Sequence, residues 1–259
     1  MANPYLVNGT ASPFSIYAAH TLASMAGQGP HKIGTKAQTE DGRVFFWGRN
    51  TGSAALAVGQ LYVRADTVPN HSELDVTTGE AGSYTITGIT IGATALTANQ
   101  YKDGYCHVTD GAGEGHTYRI RSHAAALASA TDVQITLYDA IAVALDTNST
   151  ISLQRNGYDT PLISAVDQLD YPVGVPTVTI PAGNVTEQWG WFQTYGEASV
   201  LQDETIAAIC QALTIGTGVA GAVEEDDTAT TVSQEVIVGF NLTATVDTEY
   251  SPVFLTIRQ

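Results

Sequence analysis

The run from Glu187 to Leu201, EQWGWFQTYGEASVL, constrains this chain more than any other stretch, because it combines the densest aromatic content with the clearest two-residue periodicity. Read as extended chain, it sets Trp189, Trp191, Gln193 and Tyr195 on one face and Gln188, Gly190, Phe192 and Thr194 on the other. Aromatic bulk on a strand anchors a sheet, so Trp189, Trp191 and Tyr195 are candidates for core or subunit packing. Gly196-Glu197 reads as a reversal, with Ala198, Val200 and Leu201 starting a returning strand; the expectation is a short β-hairpin. No nucleophile, base or metal-ligand set accompanies it, which points to packing rather than chemistry.

The remainder of the chain repeats the same kind of signal. Arg43 to Arg49 (RVFFWGR) and Leu56 to Asp66 read as two strands of an aromatic-rich hairpin, and Ser83 to Leu96 as a Thr/Ile run bent at Gly88. Tyr105 to Thr109 and Thr117 to Ser122 flank the glycine-rich turn DGAGEG at 110–115; Val133 to Tyr138 and Thr150 to Gln154 follow as strands. Between Glu235 and Ala244 the alternation puts Val236, Val238, Phe240 and Leu242 on one face, making Phe240 a further candidate for core or subunit packing. Pro252 to Arg258 offers Val253, Leu255 and Ile257 as its inward set. The stretches 139–146 and 205–214 are compatible with helix or strand, and no helix of ordinary length is evident. The fold class is therefore all-β, sandwich or barrel-like. Residues 1–38 are weakly patterned and rich in Gly and Pro, and they read as an extended N-terminal arm, dispensable for folding of the body. Residues 39–70 then form a β-hairpin region and 71–259 the main β domain.

Charge narrows the partners. Against 10 Lys and Arg stand 26 Asp and Glu, a formal net charge of -16. Direct binding of nucleic acid and electrostatic attachment to an anionic membrane are both disfavoured, and a positively charged partner or bound cations are favoured. Cys106 and Cys210 each sit in apolar or aromatic surroundings and read as buried thiols. His107, His116 and His123 gather around one predicted hairpin, with His107 and His116 facing each other if the turn is symmetric, but spacing alone makes no metal site. The acids at 224–227 read as a solvated turn. No catalytic motif, cofactor-binding pattern or metal-binding pattern stands out; the sequence offers no catalytic residue and no cofactor. The face carrying Trp189, Trp191 and Tyr195 has one alternative use, a sugar-stacking platform.

Taken together, GRVFFWGRN, ALAVGQLYV, ANQYKDGYCHVTDGAGEGHTYRI, LDTNSTISL, IPAGNVTEQWGWFQTYGEASVL and VDTEYSPVFLTI give an order of elements that resembles the head decoration, or cement, proteins of tailed bacteriophages, particularly marine ones. The resemblance covers most of residues 43–259 and rests on overall pattern. It implies a β-rich structural virion protein, localised on the outer surface of the capsid. Its partners would be the major capsid protein and copies of itself, most often as a trimer. The arm and the first hairpin are then the candidate capsid contacts, through Phe14, Tyr17, Arg43, Phe45, Trp47 and Arg49. A carbohydrate- or receptor-binding virion surface protein is the alternative, and a major capsid protein or minor shell component a third, the former disfavoured by the lack of a long spine helix.

Overall fold

The computed structural model describes residues 6–7, 10–25, 30–165, 170–226 and 236–258. Asp227 and Glu235, which close the expected acidic turn and open an expected strand, lie outside them. The chain divides into two compact units, Met1–Ala65 with Gly157–Gln259, and Asp66–Asn156. Strands β1 (Leu6–Val7), β2 (Thr10–Ala11), β3 (His20–Thr21), β4 (Lys36–Gln38), β5 (Val44–Asn50) and β6 (Tyr62–Val63) precede the inserted unit. That unit holds β7 (Leu74–Asp75), β8 (Thr85–Ile89), β9 (Tyr105–Asp110), β10 (Thr117–His123), β11 (Val133–Leu137) and β12 (Thr150–Gln154). The returning chain adds β13 (Leu162–Ile163), β14 (Pro172–Pro176), β15 (Gln188–Leu201), β16 (Ala212–Ile215), β17 (Val223–Glu225), β18 (Gly239–Asn241) and β19 (Tyr250–Thr256). A single 3-10 turn, Pro69–His71, is the only helix among the described residues. The protein is all-β, with one near-closed barrel and one curled half-barrel.

The inserted unit is the barrel. Its antiparallel order is β7-β12-β9-β10-β11-β8, and the two ends meet where Thr77 and Thr78 donate to the Thr87 carbonyl and Thr90 to that of Asp75. Alternate residues point inward, as on β11 and β12, so Ile86, Ile120, Ile135 and Ile151 fill the interior with Cys106. The glycines of DGAGEG take positive φ and turn β9 into β10.

In the other unit β15 is the central strand of a 13-stranded sheet. It is a continuous 14-residue strand, so the expected hairpin with a reversal at Gly196 is corrected. Gly196 does hold a positive φ of 88°, but beside a register shift between Gln193 and Tyr195 that lets the strand continue as a bulge. The strand pairs antiparallel with β5 through its first half and with β19 through its second. Its two halves enter different cores. Trp189, Trp191 and Phe192 join an aromatic cluster with Phe45, Phe46 and Trp47, whereas Val200 joins an aliphatic one with Leu213, Val253 and Leu255. Close approach is part of this pairing: a Cβ on Gly48 would lie 2.4 Å from Cε2 of Phe192.

Three further expectations change. The chain does not divide at 38 and 70, because the β5 pairing with β15 joins residues before and after the insertion into one unit. Nor do the predicted strands at 43–49 and 56–66 form a hairpin: β5 lies between β4 and β15, and β6 between β13 and β14. The described part of residues 1–38 is sheet and core rather than a free arm. Strands β1, β3 and β4 pair within the sheet, and Phe14, Ile16, Met25, Ile33 and Ala37 are buried in the aromatic cluster. Phe14 stacks on Trp47 at 5.2 Å between centroids, and Trp191 Nε1 donates to the Phe14 carbonyl at 3.3 Å. Removing this segment would take five buried side chains out of the aromatic cluster.

Candidate functional site

The bulge at Gly196 shapes a surface of the sheet unit that carries two clefts. Arg43, at the start of β5, crosses beside it; the Arg43 Cγ stands 2.8 Å from where a Cβ on Gly196 would be. Lack of a side chain and a positive φ are both needed there, which only glycine supplies without strain. The Gln193 side chain, 2% exposed, spans the bulge: its Nε2 donates to the carbonyls of Tyr195 at 3.2 Å and Glu197 at 2.8 Å. Arg43 Nε donates to Asp41 Oδ2 at 2.8 Å, its Nη1 donates to the Tyr17 hydroxyl at 3.2 Å, and the guanidinium lies 5.6 Å from the Phe45 ring centroid. Burial works against the Arg43 charge, but the bonds to Tyr17 and Asp41 outweigh it and raise its pKa. The Asp41 carboxyl is held below its ordinary value chiefly by the Thr39 hydroxyl, with burial opposing and the bonds and charge of Arg43 adding to the lowering.

Arg43 and Glu197 form a ridge between two open clefts. One, of about 340 Å³, is walled by Tyr17, Val58, Pro176, Thr177, Ser199 and Pro252 with Gln193 in its lining. The other, of about 610 Å³, lies among Asp41, Tyr195, Gly196 and Phe254. Their lining mixes aromatic rings, carboxylates, an amide and a guanidinium with aliphatic and proline side chains.

Of the six candidate capsid contacts, Tyr17 is 58% exposed and Arg43 is partly exposed at this ridge. Phe14, Phe45 and Trp47 are core residues, because the aromatic cluster needs them as filling, and they offer no surface to a partner. Arg49 is also buried. Its guanidinium makes a bidentate pair with Asp159, at 2.9 Å and 2.8 Å, and a third bond to Glu187 at 3.0 Å. Trp189 and Trp191 lie inside the cluster with no exposed ring face, which removes the sugar-stacking platform. Tyr195 is half-buried, edge-on to Phe254 at 5.2 Å. Phe240 is corrected as a core residue: it is 40% exposed, although Val238 two residues earlier is fully buried. Asn241 takes the inward position instead, its amide and carbonyl oxygens accepting from Gln211 and Cys210 and its Nδ2 donating to Ala208 and Thr243.

The histidines of the barrel are engaged one by one. His107 lies opposite Thr117 rather than His116, with Nδ1 3.1 Å from Thr117 Oγ1 and Nε2 3.2 Å from Gln154 Oε1. His123 accepts the Tyr101 N–H at Nε2 and reaches the Ala124 carbonyl through Nδ1, which makes Nδ1 the protonated nitrogen. His71 bonds the Tyr101 hydroxyl and the Thr94 carbonyl in the same core. Among the described residues no three His, Cys, Asp or Glu side chains converge as metal ligands. Cys106 is buried, and Cys210, expected to be so, is exposed.

Sequence reasoning passed over Asp41, Gln193, Glu197 and Ser199. The available signal was Gly196 inside an otherwise alternating run, which marks a bulge as readily as a turn. Comparison with family models, curated proteins and solved structures found no match for the chain.

Proposed function

We propose that this protein is a structural virion component that binds the outer surface of an assembled phage capsid, as a trimer, and stabilises it. The major capsid protein is its partner. The observation that carries this reading is the Arg43–Tyr17 pair beside the ridge. Two residues singled out as shell contacts from the sequence remain accessible, hydrogen-bonded to each other beside an open cleft. The likeness to decoration proteins supplies the class of partner, and the net charge of -16 suits a surface that meets basic side chains. The mechanism is mass action: a protein that binds the closed shell and not its dissociated subunits lowers the free energy of the shell, and symmetry repeats each modest contact many times.

The test is occupancy. Capsids of the encoding phage, stripped of this protein, are incubated with purified chain and imaged by electron cryo-microscopy, with thermal or osmotic rupture measured in parallel. Density at three-fold positions and a raised rupture threshold are expected. An absence of binding by the folded chain refutes the proposal, and light scattering of the free chain checks the trimer.

A further inference from the structure

Resting on the proposal of shell binding, we infer that the cleft beside Arg43 accepts an extended segment of the partner polypeptide as an added β-strand on the edge of β15, with a basic side chain toward Glu197. The argument begins with the alternation of an antiparallel strand. On β19 the even residues bond toward β18, since Thr256 donates to the Val238 carbonyl and Pro252 accepts from Leu242. The odd residues, Ser251, Val253 and Leu255, therefore bond to their opposites Val200, Ala198 and Gly196 on β15. That leaves Tyr195, Glu197, Ser199 and Leu201 with their main-chain groups directed to the other edge. Three of the four are accounted for there: Leu201 donates to Gly59, and the carbonyls of Tyr195 and Glu197 take the Gln193 amide.

The neighbours on this edge leave a gap. Strand β5 ends on this edge at Val44, opposite Tyr195, and the chain returns to it only at Gly59, whose carbonyl takes the Leu201 N–H. Between them the N–H groups of Glu197 and Ser199 face this edge, and both residues are exposed and line the 340 Å³ cleft. Two main-chain donors two residues apart on an open edge match the carbonyl spacing of an extended peptide, and they recognise main chain rather than any one side chain. Val58, Val175, Pro176 and Pro252 give the incoming strand apolar walls. Charge selects the side chain. Arg43 is answered by Asp41 at 2.8 Å, whereas the Glu197 carboxylate takes part in no ion pair among the described residues. A lysine or arginine on the incoming strand would complete it.

The experiment removes one donor without touching the side-chain surface. Ser199→Pro deletes an N–H that does not pair with β19, and proline is tolerated where its nitrogen faces away from the ladder; Ser199→Ala keeps the donor. Each is titrated against stripped capsids, with tryptophan fluorescence confirming the fold. S199A should bind as the wild type does, and S199P about tenfold more weakly, the scale of one net hydrogen bond. Glu197→Lys, which leaves the main chain intact, should also weaken binding. Equal binding by S199P and wild type overturns the added strand while leaving shell binding in place; no binding by the wild type overturns both. Should S199P fail to fold, protection of the Glu197 and Ser199 amides from hydrogen exchange on decorated capsids decides the matter, with unprotected amides refuting it. Loss of self-association in S199P with unchanged capsid binding would assign the edge to a second copy and refute the inference as stated.

Discussion

Replacing Asp159 with alanine should cost this protein more stability than almost any surface change, and the reason lies in what Arg49 is left with. Both side chains are buried, Arg49 7% and Asp159 2% exposed, and two parallel bonds of 2.9 and 2.8 Å join them. Deleting one partner of such a buried pair leaves the other charge without its main counter-ion, at about 3–5 kcal/mol. Glu187 keeps its bond to Arg49 at 3.0 Å, but its side chain is 36% exposed and compensates only in part. The low end of the range, ~3 kcal/mol, is therefore expected, which for a unit of this size lowers the melting temperature by about 6–12 °C. All three tryptophans, Trp47, Trp189 and Trp191, belong to the unit that contains the pair, so tryptophan fluorescence in urea follows that unit without the inserted barrel. The double variant Arg49→Met, Asp159→Asn should be more stable than the sum of its single variants predicts, because removing both charges removes the orphan. A loss under about 1 kcal/mol for D159A, or strict additivity in the double variant, refutes the reasoning.

Three other expectations follow from the packing. Deleting residues 1–38, or replacing Phe14 by alanine, should destabilise the sheet unit, the point substitution by about 3–5 kcal/mol; a truncated chain with an unchanged urea midpoint would refute the place given to that segment in the core. One thiol, Cys210, should react with a thiol reagent in the native protein and two after unfolding, since burial pushes the Cys106 thiol up to about 12 and also bars the reagent; two fast native equivalents would contradict this. Burial lowers the His123 pKa below its ordinary value of 6.5, with the Ala124 bond opposing and the His71 ring adding. The unfolded chain then binds the proton first as pH falls, so the barrel should lose stability from about pH 7 downward through 6.5 and level off below the depressed value. Amide exchange across residues 66–156 measures this, and His123→Gln should flatten the slope; an unchanged slope in that variant would show that another group is responsible.

How far the molecule was legible in its sequence depended on the range of the interactions involved. Two-residue alternation is local, so the strands at Val44–Asn50, Val133–Leu137, Thr150–Gln154 and Tyr250–Thr256 could be read directly, as could the turn at DGAGEG. Pairing is not local. The β5 partner, β15, lies 138 residues further on at the level of Gln188 and Asn50, across the entire barrel, and nothing in either strand encodes the other's position. The same limit hid the fate of Arg49, whose partner Asp159 is 110 positions away, and of the candidate contacts Phe14 and Trp47, which looked like surface aromatics until they met.

The amino-acid sequence by itself determined an all-β protein, acidic, and organised on an aromatic run at 187–201, because periodicity, charge and aromatic bulk are properties each residue carries alone. Only the tertiary structure decided that this run is one bent strand serving two cores rather than a hairpin. Gly196 permits a turn or a bulge equally well, and the choice is settled by what lies alongside: β5 on one half and β19 on the other, with the Gln193 amide holding the bend between them. The open edge at Glu197 and Ser199 exists for the same reason, since a strand bent between two neighbours leaves part of one side unpaired.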